Sequence, residues 1–130
     1  MHKVFFAHPD PKFVALYRQR LRPHFAFDSA HDGLAALRQI RLLRPDLIVS
    51  DFHLPLLSGL SLLRYVRRDS DIFATPFIFL SDHPDAAEAL GAGATEWLNR
   101  EESLDTVLEK IYRHIKINQE RLAQIKSYGI

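Results

Sequence analysis

The sequence predicts a doubly wound α/β domain built on a five-stranded parallel sheet. Five short apolar runs alternate with longer stretches in which apolar residues recur at helical spacing. The apolar runs lack the polar alternation of a half-exposed strand, which is typical of strands covered by helices on both faces. Repeated β-α units of this length therefore indicate a parallel sheet between two helical layers.

Each predicted strand is an apolar run that ends at a polar or turn-forming residue. The first, third and fourth runs are continuous in their apolar character, so we expect them to form the buried centre of the sheet. The second run is short, and we expect it at an edge. The predicted strands cover residues 4–7, 25–27, 47–49, 77–81 and 95–98.

The predicted helices begin after capping side chains and end near proline or glycine. Asp32, Ser58 and Ser103 are the predicted N-caps. The helical spacing places Leu16 on the inner face of the first helix and Leu34 on the inner face of the second. The predicted helices cover residues of about 12–22, 33–44, 59–66, 85–90 and 104–127.

Length and composition describe one ordinary globular domain. The chain has 130 residues, of which 47% are hydrophobic and 25% charged, which suffices for a single core. Its formal net charge is +1 with both signs interspersed, which argues against nucleic-acid or membrane binding by this domain. It has no cysteine, which excludes disulfides and cysteine nucleophiles and fits a cytoplasmic protein. The first apolar run is too short for a signal peptide or a membrane span.

Polar side chains follow the predicted strands at one edge of the sheet. In a doubly wound sheet of the flavodoxin-like order 2-1-3-4-5, the carboxyl ends of four strands face one crevice. His8 follows the first strand and Asp51 the third, while Ser81 and Arg100 follow the fourth and fifth. A carboxylate, a hydroxyl and a fixed cation in one crevice are the parts of a phosphoryl-transfer site with Asp51 as nucleophile.

Other interpretations of the crevice follow from the same residues. Asp51 alone also fits a solvated aspartate at the end of a strand. Three loop histidines are predicted at this edge, His8, His53 and His83. Together with the carboxylates of Asp10 and Asp51, imidazole groups would suit a transition metal. A phosphatase of the haloacid dehalogenase type needs a second aspartate two residues after Asp51, where this chain has His53.

Two segments of the chain match a known signalling family. The stretch Pro-Asp-Leu-Ile-Val-Ser-Asp ends at Asp51 and is followed by Pro55 and Gly59. The stretch Gly-Ala-Thr-Glu-Trp-Leu contains Trp97. With these segments, and over residues 3 to about 116, the chain resembles the receiver domain of bacterial two-component response regulators.

The resemblance implies a role for each matched position. It implies that Asp51 is the phosphoacceptor position, Ser81 the hydroxyl that hydrogen-bonds the phosphoryl group, and Trp97 the switch aromatic. Arg100 stands where the family has a lysine. The resemblance further implies Mg²⁺ held by carboxylates and the phosphoryl group, a histidine kinase or output domain as partner, and signalling rather than an enzyme activity.

The departures from the family pattern fall on the same site. His8 and Pro9 stand where the family has an acidic pair, and Glu101 follows Arg100 where the family usually has proline. The segment 81–93 is also shorter than usual, which indicates a remodelled signalling surface. These departures predict a degenerate, pseudo-receiver variant that is impaired in phosphorylation and acts as an interaction module.

Mg²⁺ is expected to bind weakly or not at all, because histidine and proline are poor replacements for hard oxygen ligands. The remaining ligands would be Asp10, Asp51 and the backbone carbonyl of His53. Arg100 is predicted to form an ion pair with Asp51 in place of the metal, with help from His8. No cofactor is therefore expected, unless the alternative holds and the chain is a working receiver that a histidine kinase phosphorylates on Asp51.

The last predicted helix is longer than the sheet requires. Apolar residues recur at heptad steps up to Ile125, with Asn118 as a polar position in the seam. Residues 1–116 are interpreted as the receiver-like domain and residues 117–130 as a helical extension. The apolar stripe of the helix is expected to extend beyond the domain core from Ile115 through Leu122. The extension predicts a homodimer or a signalling helix, and an amphipathic core helix with a frayed end is the alternative.

Overall fold

A computed structural model describes residues 1–82 and 86–128. Strands and helices alternate along these residues as β1 (Lys3–Ala7), α1 (Pro11–Leu21), β2 (Ala26–Ala30), α2 (Gly33–Leu43), β3 (Leu47–Ser50), α3 (Gly59–Arg68), β4 (Phe77–Leu80), α4 (Ala86–Gly91), β5 (Glu96–Leu98) and α5 (Leu104–Ser127). The strands pair in parallel in the order β2-β1-β3-β4-β5. The predicted fold class and strand order are confirmed.

Two helical layers cover the sheet and bury its central strands. Helices α1 and α5 pack on one face, against side chains that include Phe6 and Val49. Helices α2, α3 and α4 pack on the other face, against side chains that include Phe5 and Ile48. Because successive strand residues point to opposite faces, β1 and β3 bury both of their faces, as their uninterrupted apolar runs predicted.

Some inward positions differ from those predicted. Leu16 is exposed on α1, whose buried residues are Val14, Tyr17 and Leu21, and Leu34 is exposed on α2. The cause on α2 is a close approach at Gly33, where an added Cβ would lie 1.9 Å from the carbonyl oxygen of Leu57. Since successive helical residues are turned by about 100°, a Gly33 that faces the domain turns Leu34 outwards.

Strand β2 is longer than predicted and continues through the polar residues Asp28 and Ser29. Because β2 lies at the edge of the sheet beside β1, its buried residues are separated by partly exposed ones and do not form an apolar run. The sequence pattern of an edge strand is therefore weaker than that of a central strand.

Helix α5 is continuous over its 24 residues, about 36 Å at ~1.5 Å per residue. Ile115 is buried in the core, so the prediction that it lies beyond the domain is wrong. Leu122 and Ile125 are 46% and 42% exposed. No helix within residues 1–82 and 86–128 is both long and apolar enough to cross a membrane.

Candidate functional site

Asp51 lies at the carboxyl end of β3 and is held there by backbone contacts. Its backbone N–H donates a hydrogen bond to the carbonyl of Ala7 at the end of β1 (2.9 Å). The following loop returns at Gly59, where a Cβ would lie 2.2 Å from the carbonyl oxygen of Asp51. The loop therefore requires glycine at this point, and the carboxylate of Asp51 is nearly buried.

The carboxylate of Asp51 accepts two hydrogen bonds at one oxygen. Ser81, at the end of the neighbouring strand β4, donates from Oγ to Oδ1 over 2.7 Å. The backbone N–H of His53 donates to the same oxygen over 3.3 Å. The strand order thus brings Asp51 and Ser81 together, as the sequence pattern predicted for this edge.

His8 faces the other carboxylate oxygen of Asp51. Its side chain is buried, with the residue only 2% exposed, and its Nε2 lies 3.5 Å from Oδ2 of Asp51. On the other side of the ring, Nδ1 accepts a hydrogen bond from the backbone N–H of Asp10 (3.0 Å). The imidazole ring stacks on Phe13 with 4.3 Å between ring centroids.

The protonation of His8 follows from these contacts. Burial lowers the pKa of His8, the negative charge of Asp51 opposes this, and the positive charge of Arg100 lowers it further. A neutral imidazole carries one proton, and an Nδ1 that accepts the Asp10 amide leaves that proton on Nε2. Nε2 makes no conventional hydrogen bond within the described residues, and it faces Oδ2 of Asp51 at 3.5 Å.

Asp10 has a structural task at the start of α1. It is the N-cap of this helix, and its Oδ1 accepts a hydrogen bond from the backbone N–H of Lys12 (3.0 Å). Pro11 follows as the first helical residue. The Asp-Pro pair is a helix-start signature that the sequence analysis missed, and it shows why Asp10 is acidic without any need for a metal.

Arg100 does not form the predicted ion pair with Asp51 in the described part of the chain. Its guanidinium lies over the ring of Phe13, 5.2 Å from the centroid. The position beside Oδ2 of Asp51 is taken by His8. A guanidinium is weakly hydrated and is attracted to an aromatic face, so Phe13 provides an alternative partner for Arg100.

Trp97 links β5 to the residues around Asp51. It is half-buried, and its ring packs on Phe52 and Phe79 with centroid distances of 5.6 and 5.4 Å. Phe52 directly follows Asp51 in the sequence. Movement of the Asp51 loop would therefore change the surroundings of the indole.

The residues in the crevice do not fit the Mg²⁺ ion that the receiver resemblance implies. Pro9 has no side-chain ligand atom, His8 directs an N–H into the site, and the carboxylate of Asp10 caps α1. A magnesium ion prefers several oxygen ligands in an octahedral arrangement. Of the acidic side chains predicted as ligands, Asp51 is the one that faces the crevice without another helix-capping task.

The transition-metal interpretation gains no support within residues 1–82 and 86–128. No group of three or more histidine, aspartate, glutamate or cysteine side chains is arranged there to hold an ion. His53 is exposed, and its ring packs edge-on against Phe52. His83 lies outside the described residues.

Comparisons with known proteins agree with this arrangement. The family model described as response regulator receiver domain matches residues 4–112. The chain is 26% identical over 129 residues to the DNA-binding response regulator MtrA of Mycolicibacterium smegmatis, covering 98% of this chain and 56% of that protein. It is 31% identical over 115 residues to a protein-glutamate methylesterase/protein-glutamine glutaminase of Carboxydothermus hydrogenoformans, covering 79% of this chain and 33% of that protein. The chain thus spans about half or less of these relatives.

Solved structures give the same result. The receiver domain of the Francisella response regulator 1452 aligns with a TM-score of 0.83 at 28% identity, covering 91% of this chain and 99% of that one. The chemotaxis response regulator CheY4 of Vibrio cholerae aligns with a TM-score of 0.81 at 26% identity, covering 88% and 98%. The chain belongs to the response regulator receiver domain family of two-component signalling.

Proposed function

We propose that this receiver domain acts as a signalling interaction module in which magnesium-dependent phosphorylation of Asp51 is impaired. The observation that supports this is the position of His8, whose Nε2 lies 3.5 Å from Oδ2 of Asp51. Because Nδ1 of His8 accepts the Asp10 amide, Nε2 offers a proton to Asp51 and no lone pair to a cation.

Groups of the chain approach both carboxylate oxygens of Asp51. Ser81 and the His53 amide donate to Oδ1, and the N–H of His8 faces Oδ2. An incoming phosphoryl group would meet Oδ1 already engaged by two donors and the N–H of His8 beside Oδ2, with no cation to neutralise its charge.

The alternative is a working receiver that a histidine kinase phosphorylates on Asp51. Its support is the retained phosphoacceptor geometry, with Ser81 in hydrogen-bond contact with Asp51 and Trp97 packed beside Phe52. In this alternative, Asp51 attacks the phosphorus atom of the donor, the bond from phosphorus to the donor breaks, and an acyl phosphate forms.

Intact-mass spectrometry after incubation with acetyl phosphate and MgCl₂ separates the two proposals. We expect the native chain to remain largely unmodified, and the triple variant His8→Asp, Pro9→Asp, Arg100→Lys to gain one phosphoryl group on Asp51. Beryllofluoride with MgCl₂ should leave Trp97 fluorescence unchanged in the native chain. Substantial phosphorylation of the native chain under mild conditions would support the alternative.

For assembly, we propose a symmetric homodimer through the extension of α5 beyond residue 116. Asn118, Leu122 and Ile125 line an open cleft of about 370 Å³ whose opposite wall includes the exposed Phe73. An exposed apolar stripe along a helix favours pairing with a second copy. Asn118 would face its symmetry mate and favour a two-stranded register at some cost in stability.

The further partners that we propose follow from the family. They are a histidine kinase or another signalling protein, and an output domain in a longer protein, in the cytoplasm. The MtrA relative is named as DNA-binding, but this chain covers only 56% of it, and we propose no nucleic-acid binding by the receiver domain itself. Its net charge of +1 supports that proposal.

A further inference from the structure

The outward side of α2 and α3 carries a cluster of arginines that the receiver site does not use. Neither helix contains an aspartate or glutamate, as their sequences GLAALRQIRLL and GLSLLRYVRR show. The two helices lie side by side, and the guanidinium of Arg41 lies over the ring of Tyr65, 5.8 Å from the centroid. We define the arginine face as the exposed residues Arg38, Arg41, Arg64, Tyr65 and Arg68.

The charges of the arginine face are largely uncompensated. Within the described residues, Arg41 has one acidic neighbour, Asp69 at 3.7 Å. Arg64 and Arg68 line a cleft of about 330 Å³ together with Glu88 of α4, but no hydrogen bond or ion pair engages the side chains of Arg38, Arg64 and Arg68 in the described part of the chain. Arg67 differs from them, because it donates hydrogen bonds to three backbone carbonyls and connects α3 to β4 and β5. Folding thus explains Arg67 but not the exposed arginines, which repel one another.

Leu56 adds an apolar element beside the arginine face. Its backbone has φ of 69°, in the left-handed region, which costs a residue with a Cβ roughly 1–2 kcal/mol. Its side chain is 76% exposed, so no burial offsets this strain. The loop that carries Leu56 is joined to the start of α2, because the Gly33 N–H donates to the carbonyl of Pro55 (2.9 Å). Leu42, at the far end of α2, is 83% exposed.

We propose that the arginine face, flanked by Leu56 and Leu42, binds an acidic amphipathic segment of a partner protein. Carboxylates of the segment bind the unpaired guanidinium groups, and its apolar side chains cover the two leucines and Tyr65. Charge complementarity selects an acidic occupant. Arginine and tyrosine are enriched at protein interfaces and the guanidinium fork matches a carboxylate, which favours a protein over a lipid surface.

This surface does not include the side chains of the phosphoacceptor site. It is formed by the outer sides of two helices and the tip of a loop, whereas His8, Asp51 and Ser81 are buried at the sheet edge. Binding at the arginine face therefore does not require phosphorylation, and failure of the proposed function would leave this inference unaffected.

The test uses the full chain and a fluorescein-labelled peptide in which pairs of glutamate alternate with pairs of leucine. Fluorescence anisotropy should show saturable binding that weakens with salt. The variant Arg64→Glu with Arg68→Glu should bind at least about tenfold more weakly. The control Arg22→Glu with Arg113→Glu makes the same charge change at exposed positions just after α1 and on α5. It should stay within about twofold of the native chain.

Leu56→Gly supplies a second variant that is expected to fold well. Glycine adopts positive φ without strain, so the melting temperature of the variant should rise above that of the native chain. Its binding of the peptide should weaken several-fold, because the exposed leucine side chain is lost. The inference is overturned if the native chain does not bind the peptide, or if the Arg64 and Arg68 variant binds it as tightly as the native chain. It is also overturned if duplex DNA, or vesicles of phosphatidylcholine with phosphatidylserine, bind this face more tightly than the peptide does.

Discussion

The backbone amide of Asp10 donates a hydrogen bond to Nδ1 of His8 over 3.0 Å. This one contact orients the imidazole and sets its tautomer. A ring nitrogen that accepts a hydrogen bond is unprotonated, so in the neutral ring the proton is on the other nitrogen. Nε2 then presents an N–H to the buried carboxylate of Asp51. In the proposed function, a histidine fixed in this way stands where the receiver resemblance implies an oxygen ligand for a cation.

Leu47→Asp should unfold the domain. Leu47 is fully buried in β3, and an unpaired carboxylate there would cost an amount comparable with the whole stability of a small domain, about 5–15 kcal/mol. Circular dichroism and urea titration measure the loss. The control Leu42→Asp makes the same change at a position that is 83% exposed and should remain folded. A Leu47→Asp variant that folds cooperatively would contradict the assigned core.

Glu96 should make stability depend on pH below the ordinary glutamate range. Burial alone would raise the pKa of Glu96, but the hydrogen bonds from His114 and Lys110 outweigh burial and lower it. A carboxylate with a lowered pKa stabilises the folded state above the unfolded pKa of 4.5, and that contribution is lost as the pH falls through the lowered folded value.

Glu96→Gln should therefore reduce the free energy of unfolding by about 0.5–1 kcal/mol at neutral pH. The difference from the native chain should vanish in acid, where Glu96 is protonated in both states. Urea titrations across a pH series measure this. The control Glu109→Gln, on the exposed side of α5, should leave the pH dependence of stability unchanged. If the native chain and Glu96→Gln still differ in stability in acid, the lowered pKa of Glu96 is not the cause.

Leu122→Glu with Ile125→Glu should convert the proposed dimer to a monomer that keeps its fold. Both side chains are exposed on the extension, so charges there repel across the symmetric interface but cost the monomer little. Light scattering at about 100 µM, well above a micromolar dissociation constant, gives the mass. Leu16→Glu on the exposed side of α1 is the control and should remain dimeric.

A truncation can test the same interface if it retains the core. Ile115 is buried, so the chain should be shortened after Lys116, since a cut after His114 would also remove a core side chain and about 2–5 kcal/mol of stability. A native chain that is monomeric in light scattering would contradict the dimer and leave α5 as a long helix with a solvated end.

The sequence predicted the central sheet well because strands buried on two faces need unbroken apolar runs. It predicted Ile115 and Leu34 less well, because their burial depends on how close a helix lies to the sheet. For α2, the start of the helix lies close to Leu57 in the loop before α3 at Gly33, a contact that no periodicity reveals. Asp51 and Ser81 were predictable as a pair, since parallel strands bring their carboxyl ends to one edge.

The prediction that Arg100 forms an ion pair with Asp51 was wrong for a related reason, whereas the predicted contribution of His8 is found, 3.5 Å from Oδ2. Charge alone favours Arg100, but His8 is already fixed beside Oδ2 by the Asp10 amide and the Phe13 ring. Such a position depends on backbone direction at the start of α1. The Asp10-Pro11 capping signature gives that direction and would have identified Asp10 as a helix cap rather than a metal ligand.

Nitrogen-15 NMR of the His8 ring during a MgCl₂ titration tests the central claim most directly. At neutral pH, we predict a neutral ring with the proton on Nε2 and an unprotonated Nδ1 coupled to the Asp10 amide, and no saturable change up to millimolar MgCl₂. A proton on Nδ1 would contradict this prediction, because Nε2 would then direct a lone pair into the site. A saturable shift of the His8 signals with Mg²⁺ would also contradict it, because Asp51 would then bind the cation.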